Sequence, residues 1–213
     1  MITIHSIIGS PYGRAAVIGC LEKGLAYRIS PVVPGQHRAP AYLAMHPFAR
    51  IPVIQDGDFT LYETQAILRY LDATGAGPPL TPADPRSAAR MNQAIGIIDW
   101  YYFAPTGAVP LVFNRVIAPR LGMPVNEEAA QAALPAVRRI IGVLGGFVEK
   151  SPYFGADAFS LADIHVGTQM DMLSEMPEAH ELLKGSPLVA WLARMQSRPS
   201  FAATTWDALA KAA

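Results

Sequence analysis

The apolar positions divide the chain into two unlike halves. In the first, short β-like runs alternate with helical ones. Ile2 to His5 is rich in β-branched residues and predicts a strand. Pro11 to Lys23 predicts a helix, with Pro11 at the first helical position and Gly24 just past the end. Tyr27 to Val33 is a second β-like run. "PGQHRAPAYLAMHPFAR", Pro34 to Arg50, is a polar, proline-punctuated connection with room for one helical turn. "IPVIQDGDFTLYE", Ile51 to Glu63, reads as a hairpin: an apolar strand, Asp56-Gly57 as the turn, then Phe59 to Leu61. Thr64 to Ala73 predicts a helix ended by Gly75. The order is β-α-β followed by β-β-α.

"GAGPPLTPADP", Gly75 to Pro85, is a linker by composition. Beyond it, Ser87 to Phe103, Glu127 to Glu149, Leu161 to Leu173 and Pro187 to Arg198 carry apolar residues at three-to-four spacing, which predicts helices. Pro105, Pro110, Pro119 and Pro124 break the stretch between the first two. The expected organisation is an α/β domain over 1–77 and an all-helical domain of five or six helices over 84–213.

Composition narrows the function classes. A chain of 213 residues with 51% hydrophobic and 16% charged side chains can bury a sizeable core. Seventeen basic and seventeen acidic residues give zero net charge, without blocks of like charge, so nothing points to a nucleic-acid partner. No uninterrupted apolar run reaches the ~18 residues that span a membrane. The N-terminus lacks the basic region and cleavage site of a secretory signal. The single cysteine, Cys20, cannot form an internal disulfide, and a reducing cytoplasm is the expected setting. Its mid-helix position beside Ala16 and Ile18 reads as a buried small apolar residue.

Three stretches carry candidate chemistry. In "GSPYGR", Ser10 precedes a proline at a helix start, a favoured N-cap arrangement. A hydroxyl has one donor and two acceptor lone pairs, so it can accept from the helix and still donate to a bound anion. The helix N-terminus itself favours an anion, and Arg14 adds positive potential or serves as a salt-bridge partner. In "ARIPVIQDG", Pro52 opens a strand. That is sterically tolerated in trans, while X–Pro bonds are also the usual home of cis peptides. In "LYETQAI", Thr64 reads as an N-cap, and Glu63 beside it could accept from an ammonium group. An anion site next to a cation site suits an α-amino acid head.

Together these stretches resemble the cytosolic glutathione transferases, in particular serine-type, theta/phi-like bacterial members. The resemblance spans essentially the whole chain and is most specific over "HPFARIPVIQDGDFTLYETQAILRYL", His46 to Leu71. It implies a thioredoxin-like N-terminal domain, an all-helical C-terminal domain, a homodimer, and glutathione as co-substrate with no metal or other cofactor. Ser10 matches the hydroxyl that hydrogen-bonds the glutathione sulfur, and the step to Arg14 matches as well. Ile51 matches the residue whose backbone pairs with the cysteinyl part, and Pro52 the cis-proline. Glu63 and Thr64 match the pair that holds the γ-glutamyl head. "GQHR" makes His37 and Arg38 candidates for the glycine carboxylate; Arg50 stands where many relatives have glutamine. "FSLADI", Phe159 to Ile164, resembles the family's capping box, with Ser160 capping and Asp163 reaching back.

The implied chemistry is thiol activation for attack on a small apolar electrophile. A glutathione-dependent isomerase or dehalogenase would use the same thiolate. A non-catalytic module on the same fold is a third reading, which predicts loss of Ser10, Glu63 and Thr64, and all three are present. Tyr12, Tyr101 and Tyr102 are candidates to line the electrophile pocket. The run Trp100 to Phe103 cannot all face one way, so each of these aromatics is open to a core or contact role too. Met170, Met172, Met176 and Trp206 stand under the same two readings.

Overall fold

The computed structural model describes residues 1–154 and 157–212. They form two compact units. The first is Met1–Thr81 joined by the C-terminal segment from Ser197, and the second is Pro82–Gln196.

In the first unit, β1 (Ile2–Ser6), β2 (Tyr27–Pro31), β3 (Val53–Asp56) and β4 (Phe59–Tyr62) make a sheet of order β2-β1-β3-β4. β1 and β2 are parallel around helix α1 (Pro11–Glu22), while β3 runs antiparallel to β1 and β4. Alternation along the strands sends residues to opposite faces. Ile2, Ile4 and Ile54 pack with Val17 and Cys20 of α1 and with Ile67 and Leu71 of α3 (Thr64–Thr74). Val53, one residue from Ile54, packs on the other face with Val32 and with Tyr42 of the short α2 (Pro40–Leu43). The hairpin turn lies one residue later than the sequence pattern suggests. Asp56 still pairs with Phe59, and Gly57 takes the left-handed φ of 61° that the tight turn needs.

The proline- and glycine-rich stretch after α3 is tied down. Lys23, at the C-terminal end of α1, is 2% exposed, and its Nζ donates to Asp72 (3.1 Å) and to the carbonyls of Gly77 (2.7 Å) and Pro78 (2.8 Å). All three ammonium protons are thus placed. Asp72 also accepts from the Leu80 N–H and the Thr81 hydroxyl. Burial pushes the Asp72 pKa up, but these bonds outweigh it and hold the carboxyl below its ordinary value.

The second unit is all-helical: α4 (Pro85–Ile97), α5 (Val109–Val112), α6 (Ala118–Arg120), α7 (Glu127–Val148), α8 (Leu161–Ser174), α9 (Ala179–Leu183) and α10 (Leu188–Gln196). π-helical turns at Ile98–Tyr102 and Phe113–Ile117 extend α4 and α5. α8 is buried on every side from Leu161 to Met170 and forms the centre. By length and composition α7 could cross a bilayer. Here it is an amphipathic core helix, with Val137, Ile140, Ile141 and Leu144 buried and Arg138 and Arg139 exposed.

The C-terminal segment corrects the expected 84–213 domain. α11 (Pro199–Ala202) and α12 (Trp206–Ala212) belong to the first unit, where Leu209 packs in the same cluster as Ile2 and Ile4. Apolar periodicity shows that such a segment is helical but not which distant core it completes.

Candidate functional site

Strand register assembles the site. His5, Val53 and Tyr62 lie side by side across β1, β3 and β4, and Ser6 pairs with Pro31 of β2. The chain leaves β1 toward Ser10, enters β3 from Ile51-Pro52, leaves β4 into Glu63-Thr64, and leaves β2 toward His37 and Arg38. All four segments therefore emerge at one end of the sheet. α1 and α3 both start there, so two helix N-termini face the same end. The helices can run close together because Gly19 has no side chain: a β-carbon there would lie 3.0 Å from Leu71 Cδ1.

Ser10 is the N-cap of α1, and its Oγ accepts from the Gly13 N–H at 3.3 Å. That bond uses a lone pair and leaves the hydroxyl proton available. The turn before it is fixed by Gly9, at φ 87°, and by the Ser10 N–H bond to the Ile7 carbonyl (3.0 Å).

The second helix terminus differs from the sequence expectation. Glu63, not Thr64, is the N-cap of α3, and Thr64 is the buried first helical residue. Glu63 adopts φ 70° and ψ 111°, and its side chain makes no bond to the helix. A left-handed conformation costs a non-glycine residue about 1–3 kcal/mol and gathers at binding sites. Among the described residues, the other non-glycine residue with positive φ is Ala49 (φ 52°), just before Arg50 and Ile51. The Ile51-Pro52 bond is cis, which settles the choice that sequence spacing left open.

His37 and Arg38 lie on one 3-10 turn, Gln36–Arg38. Burial lowers the His37 pKa, and the charges of Arg38 and Arg50 lower it further, which places both guanidiniums in electrostatic reach of the imidazole. The cluster is suited to an anion. His37 Nδ1 is buried without a hydrogen-bond partner among the described residues.

Arg14, expected among the binding residues, instead donates to Thr204 Oγ1 (3.1 Å) and the Phe201 carbonyl (3.0 Å) and stacks over the Phe201 ring. Tyr102, expected to line a pocket, is 1% exposed in the core of the second unit, where its hydroxyl donates to the Gln169 carbonyl. The π turn that buries Tyr102 leaves Tyr101 at 66% exposure. Tyr12 is half-buried in the first turn of α1. Cys20 is fully buried, and burial pushes its thiol up to about 12, so it offers no thiolate. Sequence reasoning missed the packing of the C-terminal segment on α1 and on the Gly9 turn. Its one signal was Trp206, a large aromatic near the chain end.

Family models place residues 4–79 in the glutathione S-transferase N-terminal domain and 103–199 in the corresponding C-terminal domain. Glutathione S-transferase F14 of Arabidopsis thaliana is 30% identical over 92% of this chain and 80% of its own length. Glutathione S-transferase 3 of Zea mays is 32% identical over 86% of this chain and 83% of its own. Among solved structures, the theta-class glutathione S-transferase of the citrus canker pathogen Xanthomonas axonopodis pv. citri, with glutathione bound, superposes with a TM-score of 0.84. It is 29% identical and covers 95% of this chain and 96% of its own.

Proposed function

The chain belongs to the glutathione S-transferase family, and we propose that this end of the sheet binds glutathione and ionises its thiol for attack on a small apolar electrophile. The observation that carries the reading is the pairing of two helix N-termini at one sheet end. One presents a hydroxyl; the other presents an uncapped terminus beside a left-handed glutamate.

On this reading Ser10 donates its free proton to the glutathione sulfur. Ile51, beside the cis peptide, pairs with the cysteinyl backbone. The α3 terminus with Thr64 takes the γ-glutamyl carboxylate, and Glu63 takes the ammonium. His37, Arg38 and Arg50 face the glycine carboxylate. Lowering a thiol from about 8.5 by two units needs about 2.7 kcal/mol. A hydrogen bond to a charged acceptor gives about 1.5–3 kcal/mol and a helix N-terminus about 0.3–1. These two terms suffice without a general base or a metal. We assign the chain to the serine-type, theta/phi-like group, acting as a homodimer in the cytoplasm; sedimentation tests the dimer.

Calorimetric titration with glutathione, beside a Glu63→Ala variant, tests the reading. Saturable binding that the variant loses supports the site, and turnover of aryl halides then separates a conjugating enzyme from one dedicated to a single metabolite. No binding by the parent would overturn it and reduce both helix termini to folding elements.

A further inference from the structure

The C-terminal segment is fastened along α1 from one end to the other, and its last helix starts with Trp206 against Gly9, beside Ser10. At the C-terminal end of α1, Glu22 accepts two bonds from Arg198 (3.1 and 2.7 Å) and one from Ser200 (2.5 Å). Two turns back, Arg14 holds Phe201 and Thr204, as described above. At the start of α1, the Trp206 ring occupies the space a Gly9 side chain would need: a β-carbon there would overlap the ring. Leu209, with Ile4, Ser6 and Val17, then lines a small hollow shared with Gly9, Ser10 and Gly13. The segment thus lies against the turn that carries Ser10, with its contacts following one another along one helix.

We infer that Trp206 is a positioning residue for thiol activation: its ring fixes the Gly9–Ser10 turn and so aims the Ser10 hydroxyl at the glutathione sulfur. The inference rests on the glutathione reading above. Backbone bonds also hold the turn, from the Ser10 N–H to the Ile7 carbonyl (3.0 Å) and from the Arg14 N–H to the Ser10 carbonyl (2.9 Å), but they do not orient the Ser10 side chain. Gly9 brings no side chain, and the Ser10 cap bond is long at 3.3 Å. An aromatic ring contributes a large rigid contact surface at such a place. Misplacement of a reacting group by about 1 Å can cost on the order of a hundredfold in rate. A ring that only closed the core would leave the thiol chemistry alone.

The test is Trp206→Ala and Trp206→Phe, read by glutathione affinity and by the ultraviolet absorbance of bound thiolate across pH. In Trp206→Ala the bound thiol should titrate about one unit higher, a tenfold smaller thiolate fraction below its pKa. kcat should fall roughly tenfold, while Kd for glutathione stays within about threefold, since Glu63, Thr64 and Ile51 are untouched. Trp206→Phe should fall between parent and Ala. If Trp206→Ala does not fold, the Phe variant must still titrate above the parent. A variant that loses thermal stability but keeps the parent's thiol titration and kcat would overturn the inference. Failure of the parent to bind glutathione would overturn the underlying reading, and the parent titration alone reveals that.

Discussion

The N-termini of α8 and α3 solve the same problem in opposite ways. At α8, Asp163 is wholly buried and accepts from the Ser160 N–H (2.9 Å), the Ser160 hydroxyl (2.7 Å), the Phe154 N–H (3.1 Å) and Trp191 Nε1 (2.8 Å). Every donor in reach is used within the fold. At α3, Glu63 is exposed and strained at φ 70°, and its side chain makes no bond to the helix. The difference teaches how to read a helix start. A satisfied terminus is finished business for folding, whereas one that lacks a side-chain cap and is held at a conformational cost is, on the glutathione reading, a ligand site. α1 stands between them, capped by Ser10 through one long bond with a proton to spare.

The contrast breaks most visibly at Asp163. Asp163→Ala strands four donors in a dry core and should cost about 3–5 kcal/mol in urea unfolding. Its glutathione affinity, measured on folded protein, should match the parent's. A loss below about 1 kcal/mol would mean that the buried carboxylate is not what holds α8. Glu63→Gly should do the reverse. Relief of the left-handed strain should raise stability by about 1 kcal/mol. The glutathione Kd should rise at least tenfold, about 1.4 kcal/mol. If Glu63→Gly binds as well as the parent, the α3 terminus is not a ligand site. Ser10→Ala should show a little of both. It should lose about 0.5–1 kcal/mol of stability, because the cap bond is weak, and the bound thiol should titrate higher. A variant with the parent's thiol titration would leave Ser10 a cap and nothing more.

How much of this the sequence disclosed follows the same division. The α/β order, the hairpin, the start of α1 and the Ser160–Asp163 box were legible because local chemistry dictates them. A cap residue, a proline or a Gly-containing turn acts within a few positions. Glu63 was misjudged by one place. Thr64 has the better cap chemistry, and only tertiary constraint puts the glutamate into a left-handed conformation. Sequence gives no local sign of the cis geometry at Pro52, since most X–Pro bonds are trans. The aromatic run Trp100 to Phe103 was undecidable because a π turn, not a regular helix, sets which ring turns inward. The transfer of α11 and α12 to the first unit was invisible for a broader reason. The bonds from Arg198 to Glu22 and from Arg14 to Thr204 join residues more than a hundred and seventy positions apart.

A smaller effect separates two of the satisfied termini by pH. The start of α7 belongs with α8: Asn126 caps it, accepting from the Ala129 N–H, and Glu127 in the first turn binds Arg115 twice at 2.7 Å. Bonds from Arg115, then Gln131, hold the Glu127 carboxyl at about 2 against an ordinary 4.5. A depressed carboxylate contributes stability that is complete above the ordinary value and lost as pH falls toward the folded one. Glu127→Gln should therefore flatten the acid limb of the stability curve between pH 4.5 and about 2. Asp163 runs the other way, because burial raises it, so the two carboxylates are distinguishable by sign. The Glu63 side chain makes no bond to its helix, and Glu63→Gln should weaken glutathione binding while the unfolding free energy at neutral pH stays near the parent's. If Glu63→Gln instead destabilised the fold and bound glutathione like the parent, Glu63 would be a folding charge like the others, and the distinction between the termini would fall.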